Sequence, residues 1–89
     1  SLFNLNVTVG NDTIVDDYAA MMPGVNISGN VHLGEGCYIG TGASVINGDN
    51  QAKLQVGAFS TVGAGAVVVR DVPPGTTAVG VPAKVLPPR

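Results

Sequence analysis

Aliphatic residues recur at every sixth position along the chain, at Val9, Val15, Met21, Ile27, Leu33, Ile39 and Val45, and again at Val56, Val62 and Val68. A helix repeats its buried face about every 3.6 residues and a strand every two, so this rhythm belongs to neither alone. Four positions after the anchors runs a second series of small or β-branched residues: Thr13, Ala19, Val25, Val31, Cys37 and Ala43, then Ser60, Ala66 and Val72. Glycine often follows the anchor directly, as in Val9-Gly10, Leu33-Gly34, Ile39-Gly40, Val56-Gly57 and Val62-Gly63, which predicts corners with unusual backbone angles. Each hexad therefore predicts one short strand and one corner, and three hexads close one triangular coil in which anchors stack on anchors.

From Phe3 to Val72 this gives an all-β parallel β-helix of about four coils, on the order of 20 Å tall at ~4.8 Å between neighbouring strands. The end rungs of such a prism are unpaired edges that must be covered. Five of the six prolines (Pro73, Pro74, Pro82, Pro87 and Pro88) fall between Pro73 and the last residue, Arg89. Proline donates no hydrogen bond to a further rung, so residues 1–72 read as the repeat and 73–89 as a cap and tail where the ladder stops. The N-terminal end carries no such device, which implies further coils, another domain or a partner chain. The rhythm breaks once, where eleven residues separate Val45 from Val56, a five-residue excess around residues 47–53. Its polar residues predict a protruding loop, either a tolerated surface insertion or one reaching a neighbouring subunit's cleft.

Eighty-nine residues make one domain, and a chain of this size buries only about 60% of its unfolded surface, so oligomerisation or a missing segment is expected. Four Lys/Arg against six Asp/Glu give a net charge of −2, which excludes a nucleic-acid binder driven by phosphate neutralisation. A chain that is 45% hydrophobic and 11% charged buries enough apolar surface to exclude disorder. The single cysteine, Cys37, forms no internal disulfide. No apolar run is long enough to span a membrane, and Ser1-Leu2-Phe3-Asn4 lacks the basic and apolar regions of a signal peptide, so a soluble cytoplasmic chain is expected, with no membrane partner.

The hexads, ended by Val79-Gly80-Val81-Pro82-Ala83-Lys84-Val85, resemble the hexapeptide-repeat acyltransferases, and the left hand of the expected β-helix comes from that resemblance alone. Asp17-Tyr18, Met22-Pro23-Gly24-Val25-Asn26-Ile27-Ser28-Gly29-Asn30-Val31 and Gly34-Glu35-Gly36-Cys37-Tyr38-Ile39-Gly40-Thr41-Gly42-Ala43 are similar to the bacterial sialic acid O-acetyltransferase and nucleotide-amino-sugar N-acetyltransferase family. The resemblance implies a homotrimer that binds acetyl-CoA in the groove between adjacent prisms. It also implies an N-terminal α/β domain for the sugar nucleotide, which these residues do not include. The family's catalytic base, a His followed by an acidic residue, falls on Asn11-Asp12, and an amide cannot take up a proton near neutrality. A second His, near the acetyl group, falls on Ala20. The same resemblance assigns the Gly29 N–H to the thioester carbonyl, Thr41, Ala64 and Gly65 to the groove wall, and Gly80, Pro82, Ala83 and Lys84 to the terminal segment near the cosubstrate. The implied function is an acetyl-CoA-dependent acetyltransferase core acting on an amino or hydroxyl group of a sugar or sugar nucleotide. The alternative is a non-catalytic trimeric scaffold or acetyl-CoA-binding pseudoenzyme.

His32, the chain's one imidazole, follows the inward Val31 and points outward, as a solvated or interface residue or as a substitute base. One His per chain excludes the three-His zinc site of the trimeric γ-class carbonic anhydrases unless three copies meet on an axis. Cys37 reads as a compact buried hydrophobe, and Asp16, Asp17 and Glu35 as solvated corner residues. Gly34-x-Gly36, Gly40-x-Gly42 and Gly63-x-Gly65 lack the third glycine of a dinucleotide fingerprint. The sequons at Asn6, Asn11 and Asn26 are chance products of Asn- and Thr-rich corners when no secretory signal precedes them. Lys84 and Arg89 either meet a cosubstrate's phosphates or form a soluble tail. The scattered Thr8, Thr13, Thr41, Thr61, Thr76 and Thr77 form none of the ranked ladders that ice binding needs.

Overall fold

Each hexad carries two inward side chains two residues apart, as in Val25-Asn26-Ile27 and Val31-His32-Leu33, so a short strand buries both and turns the middle residue outward. A computed structural model describes the backbone of residues 2–3, 7–48 and 52–86, and the side chains of residues 7–48 and 52–86. Asp49, Asn50 and Gln51 of the expected loop, and Pro87, Pro88 and Arg89 of the expected tail, lie outside the described residues.

Three parallel sheets form the faces of a prism. The first face stacks β1 (Leu2–Phe3), β4 (Ala20–Met21), β7 (Tyr38–Ile39), β10 (Thr61–Val62), β12 (Thr77–Val79) and, antiparallel to β12, β13 (Lys84–Val85). The second face stacks β2 (Thr8–Val9), β5 (Asn26–Ile27), β8 (Ser44–Val45) and β11 (Val67–Val68), and the third β3 (Ile14–Val15), β6 (Val31–Leu33) and β9 (Leu54–Val56). Partners such as Ala20↔Tyr38, Asn26↔Ser44 and Ile14↔His32 are separated by three hexads of chain, one full coil. Across the insertion the separation lengthens by the loop's excess, at Val31↔Leu54 and Tyr38↔Thr61. Among the described residues there is no helix, and none long and apolar enough to cross a membrane.

The anchors form three internal columns: Met21, Ile39, Val62 and Ala78; Ile27, Val45 and Val68; Leu33, Val56 and Val72. Beside them run Ala19, Cys37 and Ser60, then Val25, Ala43 and Ala66, then Val31 and Leu54, all at most 5% exposed. Ser60, the one polar member, donates its hydroxyl to the Gly57 carbonyl at 2.7 Å, which offsets the cost of burying it. Desolvation of Cys37 pushes its thiol up to about 11. The folded chain should therefore resist iodoacetamide at pH 8 and become labelled only on unfolding, as read by mass spectrometry. Rapid labelling of the native chain would contradict this burial.

Three expectations are corrected. The glycines after the anchors are not at positive φ; that conformation falls two residues later, at Asp12, Tyr18, Gly24, Asn30, Gly36, Gly42, Phe59 and Gly65. Gly10, Gly34, Gly40 and Gly57 instead let coils touch, because a Cβ at each would stand 2.4 to 2.7 Å from a backbone nitrogen of the next coil. Val72 does not continue the second inward series; it pairs with the anchor Val56, less than three full hexads back along the chain. A strict sixfold count from Val68 would put Pro74, which has no N–H to pair, in the anchor row, and the coil shortens by two residues to use Val72. Nor does the ladder stop at Pro73-Pro74, since Thr77 and Ala78 pair with Thr61 and Val62 beyond them.

Candidate functional site

Three columns of corners run along the prism edges, and two hold the expected site residues. At the edge between the second and third faces, Gly10-Asn11-Asp12-Thr13 packs on Ser28-Gly29-Asn30. The Asn30 N–H donates to the Asn11 carbonyl at 2.9 Å, and the Thr13 hydroxyl donates to the Ser28 carbonyl at 3.0 Å. A Cβ on Gly29 would lie 2.8 Å from the Asn11 oxygen, so only glycine permits this contact. The fold thus joins Asn11, Asp12 and Gly29. It occupies the backbone of Asn11 while leaving the side chains of Asn11 and Asp12 exposed. The Gly29 N–H donates to no backbone carbonyl among the described residues.

Asn47, Ala52 and Lys53, described residues on either side of positions 49–51 of the insertion, bond to this same corner. The Asn47 N–H donates to Ser28 Oγ at 2.8 Å, and Asn47 Nδ2 donates to the Asn30 and Ala52 carbonyls at 2.7 and 2.8 Å. Asn30 Nδ2 adds a bond to Ala52 O at 3.3 Å. Lys53 Nζ donates to Asn30 Oδ1 at 3.0 Å and to the Asp12 carbonyl. Sequence reading passed over Lys53 because a polar insertion has no periodicity. The five-residue excess was the signal available, since extra chain at a corner must cover that corner or leave it.

The second group lies at the edge between the first and second faces. Gly65 N–H donates to the Thr41 carbonyl at 2.9 Å, and Ala64 packs on Gly40. The Gly80 carbonyl accepts from Val67 N at 3.0 Å, and Ala83 N donates back to Val67 O at 2.7 Å, which fastens the segment holding Pro82 to the second face. Lys84, exposed on β13, lines a groove of about 250 Å³ with Arg70 and Asp71. Ala20 belongs to neither edge and sits half-buried in the first face, between Leu2 and Tyr38. Within one chain the fold therefore does not unite Asn11 with Thr41, Ala64 or Lys84.

On the third face His32 is neither free nor simply solvated. Its Nε2 lies 2.7 Å from Asp16 Oδ2 and its Nδ1 2.8 Å from Gln55 Oε1. A carboxylate only accepts, so Nε2 carries a proton. Asp16 is therefore no plain solvated corner residue, whereas Asp17 and Glu35 are exposed. The pair borders a groove of about 470 Å³ walled by Val56, Gly57, Val72, Pro73 and Pro74. The sequence signal was the coil offset, since Asp16 stands two residues past Ile14, the partner of His32 one coil away.

No family model matches the chain. It is 34% identical over 88 residues to serine acetyltransferase of Salmonella typhimurium and 36% identical over 90 residues to that of Synechococcus elongatus. The alignments take in 90% and 92% of this chain but only 30% and 35% of those enzymes, so the chain spans about a third of the curated relatives it matches. Among solved structures it superimposes on a His-to-Asn mutant of perosamine N-acetyltransferase from Caulobacter crescentus in complex with CoA and GDP-perosamine. That match has a TM-score of 0.86 and 38% identity, over 96% of this chain and 38% of the other. The acetyltransferase domain of PglB from Neisseria gonorrhoeae, in complex with acetyl coenzyme A, matches at 0.84 and 42% identity, over 93% and 38% of the two chains. The repeat and the three-faced prism make the chain a hexapeptide-repeat β-helix, and over nearly its whole length that fold is similar to part of these acetyltransferases.

Proposed function

We propose that the chain is the core of an acetyl-CoA-dependent acetyltransferase that transfers acetyl to an amino or hydroxyl group of a sugar or sugar nucleotide. In this reading it works in the cytoplasm as a homotrimer. Each subunit is a left-handed β-helix of about four triangular coils, with an inserted loop near 47–53 and a C-terminal cap beyond the last parallel rung, β12. The observation that carries the reading is the 38% identity, over nearly the whole chain, to an N-acetyltransferase that holds CoA and GDP-perosamine.

Acetyl-CoA supplies the activated acyl group. Gly29 offers its N–H, which donates to no backbone carbonyl among the described residues, to the thioester oxygen as negative charge develops there, the role of an oxyanion-hole donor. Thr41, Ala64 and Gly65 supply the groove wall, with Ala20 near the acetyl group. Gly80, Pro82, Ala83 and Lys84 border the rest of the cosubstrate, where the Lys84 ammonium suits a phosphate. Asn11 cannot accept the acceptor's proton, and Asp12 remains as the carboxylate beside it. An amine that arrives unprotonated needs less help than a hydroxyl, so the site favours N-acetylation. The relative with Asn in place of His still holds both CoA and its nucleotide sugar, which supports binding without the imidazole.

Asn11 also favours a second reading, a pseudoenzyme or trimeric scaffold that keeps the groove without the chemistry. Calorimetry with acetyl-CoA, followed by mass spectrometry of a nucleotide amino sugar incubated with the full-length protein, separates the two. Binding with an acetylated product is the expected result. Binding without product leaves the scaffold, and absence of binding removes both readings.

A further inference from the structure

The insertion brings to the Asn11 corner a positive charge that the hexads do not supply there. Of the described cations Lys53, Arg70 and Lys84, Lys53 is the one that donates into this corner. Its partners are both neutral, the Asp12 carbonyl and the Asn30 amide oxygen. Among the described residues no carboxylate lies within 4.0 Å of it; the one ion pair among them is His32–Asp16 on the third face. The charge is thus held in place without being neutralised. An ammonium has three protons, and two acceptors leave one for a ligand. Asn30, which holds the ammonium, adjoins Gly29 in sequence.

We propose that Lys53 is a catalytic residue of the acetyl transfer, stabilising the thioester oxygen together with the Gly29 N–H; the inference rests on the acetyltransferase reading above. As the acceptor nitrogen's lone pair forms a bond to the carbonyl carbon, the C=O π pair moves onto oxygen, where Lys53 and Gly29 meet it. Return of that pair breaks the C–S bond, and the proton lost by the nitrogen reaches the departing thiolate through solvent. Lys53 keeps all three of its protons and is not a base. A fixed cation at the developing charge acts without reorganising, which is why such groups contribute strongly in a partly desolvated site. In this account the insertion is the source of electrostatic help at a corner that lacks an imidazole.

The test compares full-length wild type, Lys53→Met and Lys53→Arg with acetyl-CoA and a nucleotide amino sugar, with thermal melts to confirm the fold. Lys53→Met should lower kcat about 100-fold, the scale set by removal of one oxyanion donor. The KM and calorimetric Kd for acetyl-CoA should stay within about threefold, and Lys53→Arg should recover part of kcat. An unchanged kcat in Lys53→Met, a loss confined to KM, or Lys53→Arg as slow as Lys53→Met would overturn the assignment while the acetyltransferase reading stands. A wild type that transfers no acetyl overturns both.

Discussion

Asn11→His should raise acetyl transfer about 10²- to 10⁴-fold over the chain as it stands, the range that a positioned general base contributes. The corner accepts the change readily. The Asn11 side chain is exposed, and the residue's structural duty, accepting from Asn30 N, belongs to its carbonyl. The neighbouring Asp12 carboxylate remains beside the new imidazole. A hydroxyl acceptor, which must lose its proton during attack, should gain more than an amine. The gain should be present above about pH 6.5 and fade below it as the imidazole becomes protonated. Steady-state rates for an amino sugar and its hydroxyl counterpart, measured against pH for Asn11→His and wild type, check this. Equal rates for the two proteins would favour the scaffold or a mechanism without a protein base.

Gly10→Ala should damage fold and site together. The new Cβ would stand 2.4 Å from Gly29 N, 2.8 Å from Ser28 C and 2.9 Å from Gly29 Cα, all backbone atoms that no rotamer change can move. Relief requires the first two coils to part, straining the Gly10 N–H bond to Ile27 O at 2.8 Å. Overpacking of this kind costs on the order of 1–3 kcal/mol. At roughly 4–8 °C per kcal/mol for a domain of this size, the melting temperature should fall by about 5–20 °C. Because Gly29 is what gets pushed, acetyl-CoA affinity should fall as well. Gly42→Ala is the control: nothing lies within 4 Å of its Cβ, and it bears only the conformational cost of φ +71°, about 1–2 kcal/mol. Circular-dichroism melts of both variants decide the matter, and a Gly10→Ala melt matching wild type would refute the close-approach account.

The internal columns were legible because burial in this prism is periodic; Met21, Ile39 and Val62 are readable as one stack before any coordinates exist. The shortened last coil was not, since Val67, Val68, Val69 and Val72 offer two registers of equal hydrophobicity and only backbone pairing chooses between them. Glycine at a corner is visible, but its cause is not. A residue that needs positive φ and one that needs no Cβ look the same as letters, and here they alternate two positions apart. At the candidate corner, Asn11, Asp12 and Gly29 were assigned by resemblance, and one-coil stacking explains why they meet. Lys53 escaped because a contact made across coils from a polar insertion follows no rhythm, and Asp16 because its one-coil offset from His32 is visible only once the register is known.

β13 runs against the direction of every other strand in its face. A prism of identical parallel rungs could in principle dock head to tail on another copy and grow into a filament. On the first face, the reversed strand offers an incoming rung the wrong hydrogen-bond pattern for that growth. One short reversal thereby disfavours fibril growth through β13 on that face.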